Sequence, residues 1–208
     1  MCNKKIPKSV IERIPLYMNY LDKLIAKDVQ MTSSTIISQD LGLGEVQVRK
    51  DLNLISGNGK PKIGYYVKDL RQDLESLVRK KEYTNIVIIG AGKIGEALAN
   101  YYNYEDSKFK LLGIFDNDNH KIGKVMDGVT IEHISNIKEF SETHQVDIGI
   151  ICVPPTNAQE VCDKLVDSNI KGILNFTNVV LNVDNNVCVR NVDIVSLLTK
   201  IAIEINNE

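Results

Sequence analysis

Features that mark membrane, secreted and metal-binding proteins are missing from this sequence. Its 208 residues include no run that approaches the ~18–20 consecutive apolar residues of a membrane-spanning helix. The first eight residues are basic, yet no apolar segment follows them, so the sequence predicts no secretory signal. A composition of 43% hydrophobic and 25% charged residues is ordinary for a globular protein. We therefore expect a cytoplasmic protein without a membrane partner.

Cysteine and histidine are scarce and scattered. The four cysteines form no C-x-x-C pair and lack histidines at zinc-finger spacing, so the sequence predicts neither a metal site nor thiol redox chemistry. Cys152 and Cys188 stand in apolar, strand-like runs, where a free cysteine behaves as a small hydrophobic residue. This pattern favours a reducing compartment.

The formal net charge of −2 hides two halves of opposite sign. Residues 1–81 contain 15 Lys and Arg against 9 Asp and Glu, a net of +6, whereas residues 82–208 contain 10 against 18, a net of −8. Because basic segments attract polyanions, the first half is a candidate nucleic-acid-binding module and the second half has another task. The length agrees with two small domains.

The basic half carries the pattern of a helix-turn-helix. Hydrophobic periodicity predicts helices over residues 9–28, 34–41 and 45–55. Ser9 is a candidate cap of the first helix, which instead starts nearer Ile14 if Pro15 occupies its first turn. Gly42 ends the second helix. The residues of the third helix that we expect to be buried are Val46, Val48, Leu52 and Ile55.

The third helix would be the one that lies in the major groove of DNA. Arg49 can pair with guanine through two hydrogen bonds, Gln47 can read adenine, and Lys50 can hold a phosphate. Residues 60–67 read as a basic β-ribbon, and a helix-turn-helix followed by such a ribbon is a winged helix. The predicted DNA contacts are Gln47, Arg49, Lys50, Asn53, Lys60 and Lys62. A plain helical bundle with a basic, solvated face is the alternative from the helices alone.

The acidic half opens with a glycine motif in the right context for a dinucleotide. A buried-strand pattern over residues 85–89 leads directly into G-x-G-x-x-G and then into a helical pattern. Gly90 makes the tight turn, Gly92 lets the backbone approach a pyrophosphate, and Gly95 lets helix and strand pack closely. The pyrophosphate then lies at a helix N-terminus, which favours anions. The predicted contacts here are Gly90, Ala91, Gly92, Lys93, Ile94 and Gly95.

Further strands complete a doubly wound parallel sheet, an α/β fold of the Rossmann type. The strand 111–115 ends at Asp116, where an acidic group binds the ribose hydroxyls, and the absence of a following Arg favours NAD(H) over NADP(H). Lys121 and Ile122 could close over the adenine. The residues expected at the nicotinamide side, because ligands bind at the carboxyl ends of strands, are Val153, Pro154, Asn175 and Thr177. For Pro154 and Asn175, a role as loop formers is the alternative.

The acidic half offers a cofactor site without a catalytic group. A dehydrogenase needs an acid–base group beside the nicotinamide, and the predicted strand order places the three histidines away from it. The pair Tyr104 and Lys108 mimics a short-chain dehydrogenase dyad, but it follows the first cofactor helix too directly. We therefore predict a regulator that binds NAD(H) and is not an enzyme.

Nine segments, taken in order, carry a resemblance to a known family. They are Ile6–Pro7, Arg13–Tyr17, Gln47–Leu52, the ribbon from Gly59 to Tyr65, the glycine motif, Phe115–Asp116, Lys121–Gly123, Gly172–Thr177 and Val192–Asp193. In their order and spacing they closely resemble the redox-sensing transcriptional repressors of the Rex family. The chain departs from that family over residues 54–58, which replace an aromatic-glycine segment, and at Asn178, where a proline commonly stands.

The resemblance implies a repressor that senses the NADH/NAD⁺ ratio. It implies a homodimer that binds palindromic double-stranded operator DNA when free or NAD⁺-bound and releases it on binding NADH. The implied domains are a winged helix over 1–82, a Rossmann domain over 83–192 and a C-terminal helix over 193–208 that is exchanged between subunits. The implied switch residues are Arg13, Tyr101 and Asp193. Two alternatives remain, an NAD-dependent oxidoreductase and a nucleotide-gated regulator, such as a CoA-type binder, without operator binding.

Overall fold

A computed structural model describes residues 6–57, 59–60, 63–78, 83–102 and 108–207, without the side chains of Val78 and Tyr102. The chain divides into two compact units, Met1–Lys81 and Glu82–Glu208. The division falls where the sequence changes from net positive to net negative charge. Lys62, a predicted DNA contact, and Tyr104 of the dehydrogenase-like pair lie outside the described residues.

The first unit is a helical domain with a small antiparallel sheet. Its elements are α1 (Lys8–Ile11), α2 (Ile14–Ala26), β1 (Met31–Thr32), α3 (Ser34–Leu41), α4 (Glu45–Ile55), β2 (Tyr65–Tyr66) and α5 (Val67–Val78). Strand β2 pairs antiparallel with β1. Helices α2, α4 and α5 pack around one apolar core, in which Tyr17, Leu21, Leu52 and Leu74 are fully buried.

Pro15 decides where the second helix begins. The predicted helix over 9–28 is two helices, because the ring of a proline clashes with the carbonyl four residues earlier, here that of Ile11, where α1 ends. Helix α2 starts at Ile14 with Pro15 in its first turn, as the alternative predicted. The Ser9 cap is wrong, since Ser9 lies inside α1 and Pro7 precedes that helix.

The helix-turn-helix itself follows the sequence closely. Ser33 caps α3 by accepting a hydrogen bond from the amide of Ile36 at 3.2 Å, and Gly42 ends it with φ of +62°. Helix α4 has the predicted bounds, with Val48 and Leu52 buried. The prediction that Val46 is buried is wrong, because its side chain is 55% exposed on the opposite side of α4.

The predicted ribbon is shorter than the pattern over 60–67 indicated. Lys60 pairs with Gly64 in a single bridge, and the two residues that follow Gly64 join β1. Val67 already begins α5 and is fully buried in the core. The described part of the wing therefore consists of the bridge between Lys60 and Gly64 beside a short two-stranded sheet.

The second unit is a doubly wound sheet, as predicted. Its strands are β3 (Thr84–Ile89), β4 (Phe109–Asp116), β5 (Val125–Met126), β6 (Val129–His133), β7 (Ile148–Ile151), β8 (Gly172–Asn175) and β9 (Cys188–Asn191). Its helices are α6 (Lys93–Tyr102), α7 (Ile137–His144), α8 (Ala158–Asp167) and α9 (Ile194–Asn206), with single 3₁₀ turns at 134–136 and 155–157. No helix in the described ranges is long and apolar enough to span a bilayer.

The strand order creates a crevice beside β3. The order is β5-β6-β4-β3-β7-β8-β9, and every neighbouring pair is parallel except β5 with β6. Val87 and Ile89 pack on one face of β3 and Ile86 and Ile88 on the other, so both faces of the sheet are covered. The chain runs outward from β3 in both directions, which makes its carboxyl end the expected ligand position.

The last strand and the last helix of the second unit carry exposed residues. Cys188 lies in the outer strand β9, as its strand-like run predicted, but its side chain is exposed there. Helix α9 buries none of its residues. The apolar side chains of α9 that are more than half exposed are Ile194, Val195, Leu197, Leu198, Ile201, Ile203 and Ile205.

Candidate functional site

A cavity of about 520 Å³ occupies the crevice at the carboxyl ends of β3, β4 and β7. Its position is the one expected for a ligand of a doubly wound sheet. The predicted nucleotide contacts that line it are Gly90, Gly92, Lys93, Ile94, Asp116, Lys121, Val153 and Pro154. In the described parts of the chain, no cluster of three or more His, Cys, Asp or Glu side chains could hold a metal ion.

The three glycines of the motif have different surroundings. Gly90 has φ of +107°, and a Cβ there would lie 2.6 Å from the carbonyl oxygen of Cys152. A Cβ on Gly95 would overlap the carbonyl oxygen of Gly90, so the helix can approach the strand only without a side chain. A Cβ on Gly92 would have no neighbour within 4 Å, because this glycine faces the open cavity. Gly92 is therefore the point at which a ligand can approach the backbone.

Asp116 is fixed at the end of β4 by three hydrogen-bond donors. Its Oδ2 accepts from the amide of Ala91 at 2.8 Å and from Lys121 Nζ at 3.0 Å, and its Oδ1 accepts from the amide of Asp118 at 2.9 Å. Burial acts to raise the pKa of Asp116, but the donors outweigh it and hold the pKa below its ordinary value. The carboxylate is therefore ionised and bound to the glycine loop, with lone pairs left for further donors.

The remaining predicted nucleotide contacts are not among the residues that line this cavity. Asn175 Nδ2 donates to Val179 O and to Asn191 Oδ1, both at 2.9 Å, while Asn175 Oδ1 accepts from Thr177 Oγ1 at 2.7 Å. These bonds use Asn175 and Thr177 to build the loop after β8, which for Asn175 is the loop-forming alternative. Contact of Asn175 or Thr177 with a nicotinamide, and of Ile122 with an adenine, stays a prediction.

Sequence reasoning missed the wall that α8 contributes. Asn157, Glu160, Val161 and Lys164 line the cavity from the first turns of the helix that follows β7. The rule that already selected Pro154 would have found them, because a helix after a parallel strand starts at the same edge of the sheet. Cys152 also lines the cavity, and burial raises the pKa of its thiol to about 12. Cys152 is therefore protonated and unreactive at neutral pH.

The candidate DNA-reading surface lies on α4. Gln47, Arg49, Lys50 and Asn53 are all exposed there, as a reading helix requires. Asn53 Oδ1 accepts from the hydroxyl of Tyr65 at 3.1 Å, which leaves its amide nitrogen available as a donor. On the wing, Lys60 is exposed and its Nζ lies 5.2 Å from the centre of the Tyr66 ring.

A buried network joins α4 to the start of α2. Arg13 donates to Asp51 through Nε at 2.6 Å and Nη2 at 3.0 Å, and the hydroxyl of Tyr17 donates to Asp51 Oδ2 at 2.7 Å. The bond to Asp51 raises the pKa of Arg13, and burial together with Asp51 raises the pKa of Tyr17. When the side-chain amide of Gln47 is oriented with its oxygen toward Arg13, that oxygen accepts a hydrogen bond from Arg13 Nη1 at 2.8 Å. Arg13 thus links the first unit's core to a residue of the reading surface.

The other two candidate switch residues belong to the second unit. Tyr101 lies near the end of α6 with 68% of its surface exposed. Asp193 caps α9 by accepting from the amide of Ser196 at 2.9 Å and from its hydroxyl at 2.6 Å. The Ser196 hydroxyl and amide together lower the pKa of Asp193. Joint action of these two residues with Arg13 stays a prediction.

Curated relatives match nearly the whole chain. A redox-sensing transcriptional repressor Rex from Caldicellulosiruptor bescii is 39% identical over 205 residues, covering 99% of this chain and 94% of the relative. The repressor of the same name from Clostridium acetobutylicum is 42% identical over 197 residues, covering 94% and 92%. This chain belongs to the Rex family.

Two family models match the two halves of the chain separately, and solved Rex-family structures match nearly all of it. A model described as a putative DNA-binding protein N-terminus matches residues 5–53, and one described as a CoA binding domain matches residues 81–179. The crystal structure of the Rex-family repressor RSP with β-NAD⁺ and operator DNA has a TM-score of 0.91 at 35% identity, covering 99% of this chain and 94% of that one. RSP with β-NADH has a TM-score of 0.86 at 35% identity, covering 99% and 96%. Membership places this chain among regulators.

Proposed function

We propose that this protein is a transcriptional repressor that binds operator DNA through its first unit and releases it when NADH occupies the crevice of the second. The observation that carries the proposal is that one chain of the Rex family joins an exposed reading helix to a cavity lined by a dinucleotide-binding glycine motif. A cavity of about 520 Å³ lies within the range of small-molecule and cofactor sites. The structures of RSP with β-NAD⁺ and operator DNA and with β-NADH support the same pairing of ligands.

The residues of the crevice fit NAD(H). A pyrophosphate would lie against Gly92 and the first amides of α6, where the helix dipole favours an anion. The ionised Asp116 accepts hydrogen bonds from ribose hydroxyls, and Asp118 beside it would repel a 2′-phosphate. Since Lys121 is paired with Asp116, its charge is already partly neutralised. These groups favour NAD(H) over NADP(H).

Discrimination between the two redox forms follows from charge. The nicotinamide ring is positively charged in NAD⁺ and neutral in NADH, so an apolar enclosure disfavours NAD⁺ by its desolvation cost. A ligand moves a conformational equilibrium only through its different affinities for the two states. NADH would therefore have to favour the arrangement of the two units that fits the operator less well.

A homodimer with an exchanged C-terminal helix is part of the proposal. Helix α9 carries apolar side chains around its surface and buries none of them within its own chain. Exposure of these apolar side chains to water is unfavourable, and a contiguous apolar surface of this kind marks an interaction site. A second copy of the chain would cover it, and a two-fold axis matches a palindromic operator.

The proposed switch uses Arg13, Tyr101 and Asp193. Asp193 caps the helix that would pass to the partner subunit. A movement of the partner subunit would therefore move Asp193, and through it would affect the first unit. Arg13 holds both Asp51 and Gln47 of α4, so a change at Arg13 reaches the reading surface directly. We further propose that the protein turns over no substrate, because the relatives that match nearly the whole chain are repressors and no histidine among the described residues lines the cavity.

The function is tested by titrating NADH, NAD⁺ and coenzyme A into a complex of the full chain with DNA that the protein itself selects from a random pool. The salt concentration is held fixed, because phosphate contacts make DNA affinity strongly salt-dependent. NADH should release the DNA while NAD⁺ and coenzyme A leave it bound. Release by coenzyme A alone would favour the nucleotide-gated alternative, and consumption of NADH with a substrate would favour the oxidoreductase.

Replacing Asp116 with alanine is expected to weaken NADH binding by about 10- to 100-fold, because hydrogen bonds to charged groups contribute about 1.5–3 kcal/mol each. The substitution removes the ribose acceptor and the bond that fixes Ala91 in the glycine loop. NADH affinity is measured by titrating the intrinsic fluorescence of the cofactor. Asp163→Ala, at an exposed aspartate of α8 outside the cavity lining, is the matched control and should bind normally. Equal affinity of both variants would contradict the assignment of Asp116.

A further inference from the structure

The exposed side of α4 contains one apolar residue among polar ones. Positions 46, 49, 50 and 53 follow helical spacing and share a face, and all four are exposed. Arg49, Lys50 and Asn53 supply hydrogen-bond donors to that face, whereas Val46 supplies only methyl groups. The buried residues of α4 are Val48, Asp51 and Leu52, which lie on the other side.

Val46 has the right place on the helix to meet a base. It is the second residue of α4, and recognition helices contact base edges mainly through their N-terminal residues. The preceding Glu45 is bonded to α3, since its Oε1 accepts from Thr35 Oγ1 at 3.1 Å. The following Gln47 is held by Arg13. Both neighbours of Val46 are thus tied to other elements, while 55% of Val46 remains exposed.

An exposed valine is common on protein surfaces and needs no explanation by itself. Its position matters here because it lies on the face that the proposed function directs into the major groove. The 5-methyl group of thymine is the apolar group that the major groove offers to a side chain. Burial of two methyl groups against each other is favourable, whereas a polar group at this place would gain nothing from that methyl.

We propose that Val46 is a specificity-determining residue that contacts the 5-methyl group of a thymine in each operator half-site. The assignment rests on the proposed function and goes beyond it, because it names the chemical group that one residue reads. Arg49, Lys50, Asn53 and Gln47 then supply hydrogen bonds around this apolar contact.

Replacing thymine with deoxyuridine isolates the contact. Uracil keeps every hydrogen-bonding group of thymine and lacks only the methyl, so each thymine of the selected operator is exchanged in turn, symmetrically in both half-sites. For the wild-type chain, one position should lose about fourfold in affinity per half-site, the fold-change for burying one methyl group. The Val46→Ala variant should bind the thymine operator more weakly and show a smaller difference between thymine and uracil at that position, because alanine keeps only one methyl group.

Two variants keep the test decisive. Val46→Ala changes an exposed side chain, and thermal unfolding equal to that of the wild type confirms an intact fold. Ile36→Ala removes a similarly exposed apolar residue, 47% exposed on α3, and should keep the full discrimination between thymine and uracil. A selected operator whose uracil profile is the same for the wild type and Val46→Ala would overturn this assignment alone. A wild-type chain that selects no operator would overturn the proposed function and the assignment with it.

Discussion

Replacing Asp51 with alanine is expected to lower the free energy of unfolding of the first unit by about 2–4 kcal/mol, because it leaves a charge without its partner inside the domain. The Asp51 side chain is 5% exposed and that of Arg13 is 18% exposed. Without the carboxylate, Arg13 and the hydroxyl of Tyr17 lose all three bonds that the carboxylate accepts. Urea-dependent hydrogen exchange in peptides from residues 14–55 measures the loss in this unit separately.

A second ion pair of the same unit provides the control. Arg71 Nε also lies 2.6 Å from an aspartate, Asp22, but this carboxylate is 51% exposed. Exposed ion pairs contribute about 0–1 kcal/mol, so Asp22→Ala should lose little stability. Similar losses in both variants would mean that burial does not set the contribution of Asp51.

The same network constrains how a switch at Arg13 can work. Arg13 is already bound to Asp51 and to Gln47 inside its own unit. A carboxylate from another part of the proposed dimer would therefore have to share this guanidinium or break one of its bonds. Either event changes the bonds by which Arg13 positions α4. Asp51→Ala should therefore also weaken operator binding when the variant is titrated with the selected DNA.

Local sequence signals predicted the elements well where one residue decides the backbone. Pro15 excluded a continuous helix, Gly42 ended α3, and the bounds of α4 agree with its hydrophobic pattern. The error at Val46 was avoidable from periodicity, since positions 46 and 48 are about 200° apart on a helix and cannot both face the core. In the structure, Val48 is the residue of the two that packs in the core.

Contacts between distant residues could not be predicted from the chain. Asn175 is fully buried, and its amide is satisfied there by a hydrogen bond to Asn191, sixteen residues later. That bond exists only once β8 and β9 pair. The bonds from Ala91 and Lys121 to Asp116, which fix the acid against the glycine loop, likewise arise only in the folded sheet. The motif therefore located the crevice, whereas the arrangement of its walls depends on tertiary structure.

Replacing Gly95 with alanine is expected to destabilise the second unit by about 3 kcal/mol, because the new methyl group would overlap the carbonyl oxygen of Gly90. That carbonyl has little room to move, since the amide of Ala91 in the same peptide plane donates to Asp116 Oδ2 at 2.8 Å. Alanine is favoured over glycine in a helix by about 1 kcal/mol, which the overlap outweighs. Thermal unfolding of the full chain measures the loss.

Gly92→Ala separates ligand binding from folding within the same motif. Its methyl group would enter open space, so stability should change by less than about 0.5 kcal/mol. NADH affinity should nevertheless fall at least tenfold, by about 1.4 kcal/mol or more, because the methyl occupies the path by which a pyrophosphate reaches the backbone. Fluorescence titration measures the affinity. Normal NADH binding by Gly92→Ala would show that the pyrophosphate lies elsewhere, and normal stability of Gly95→Ala would contradict the close packing of α6 on β3.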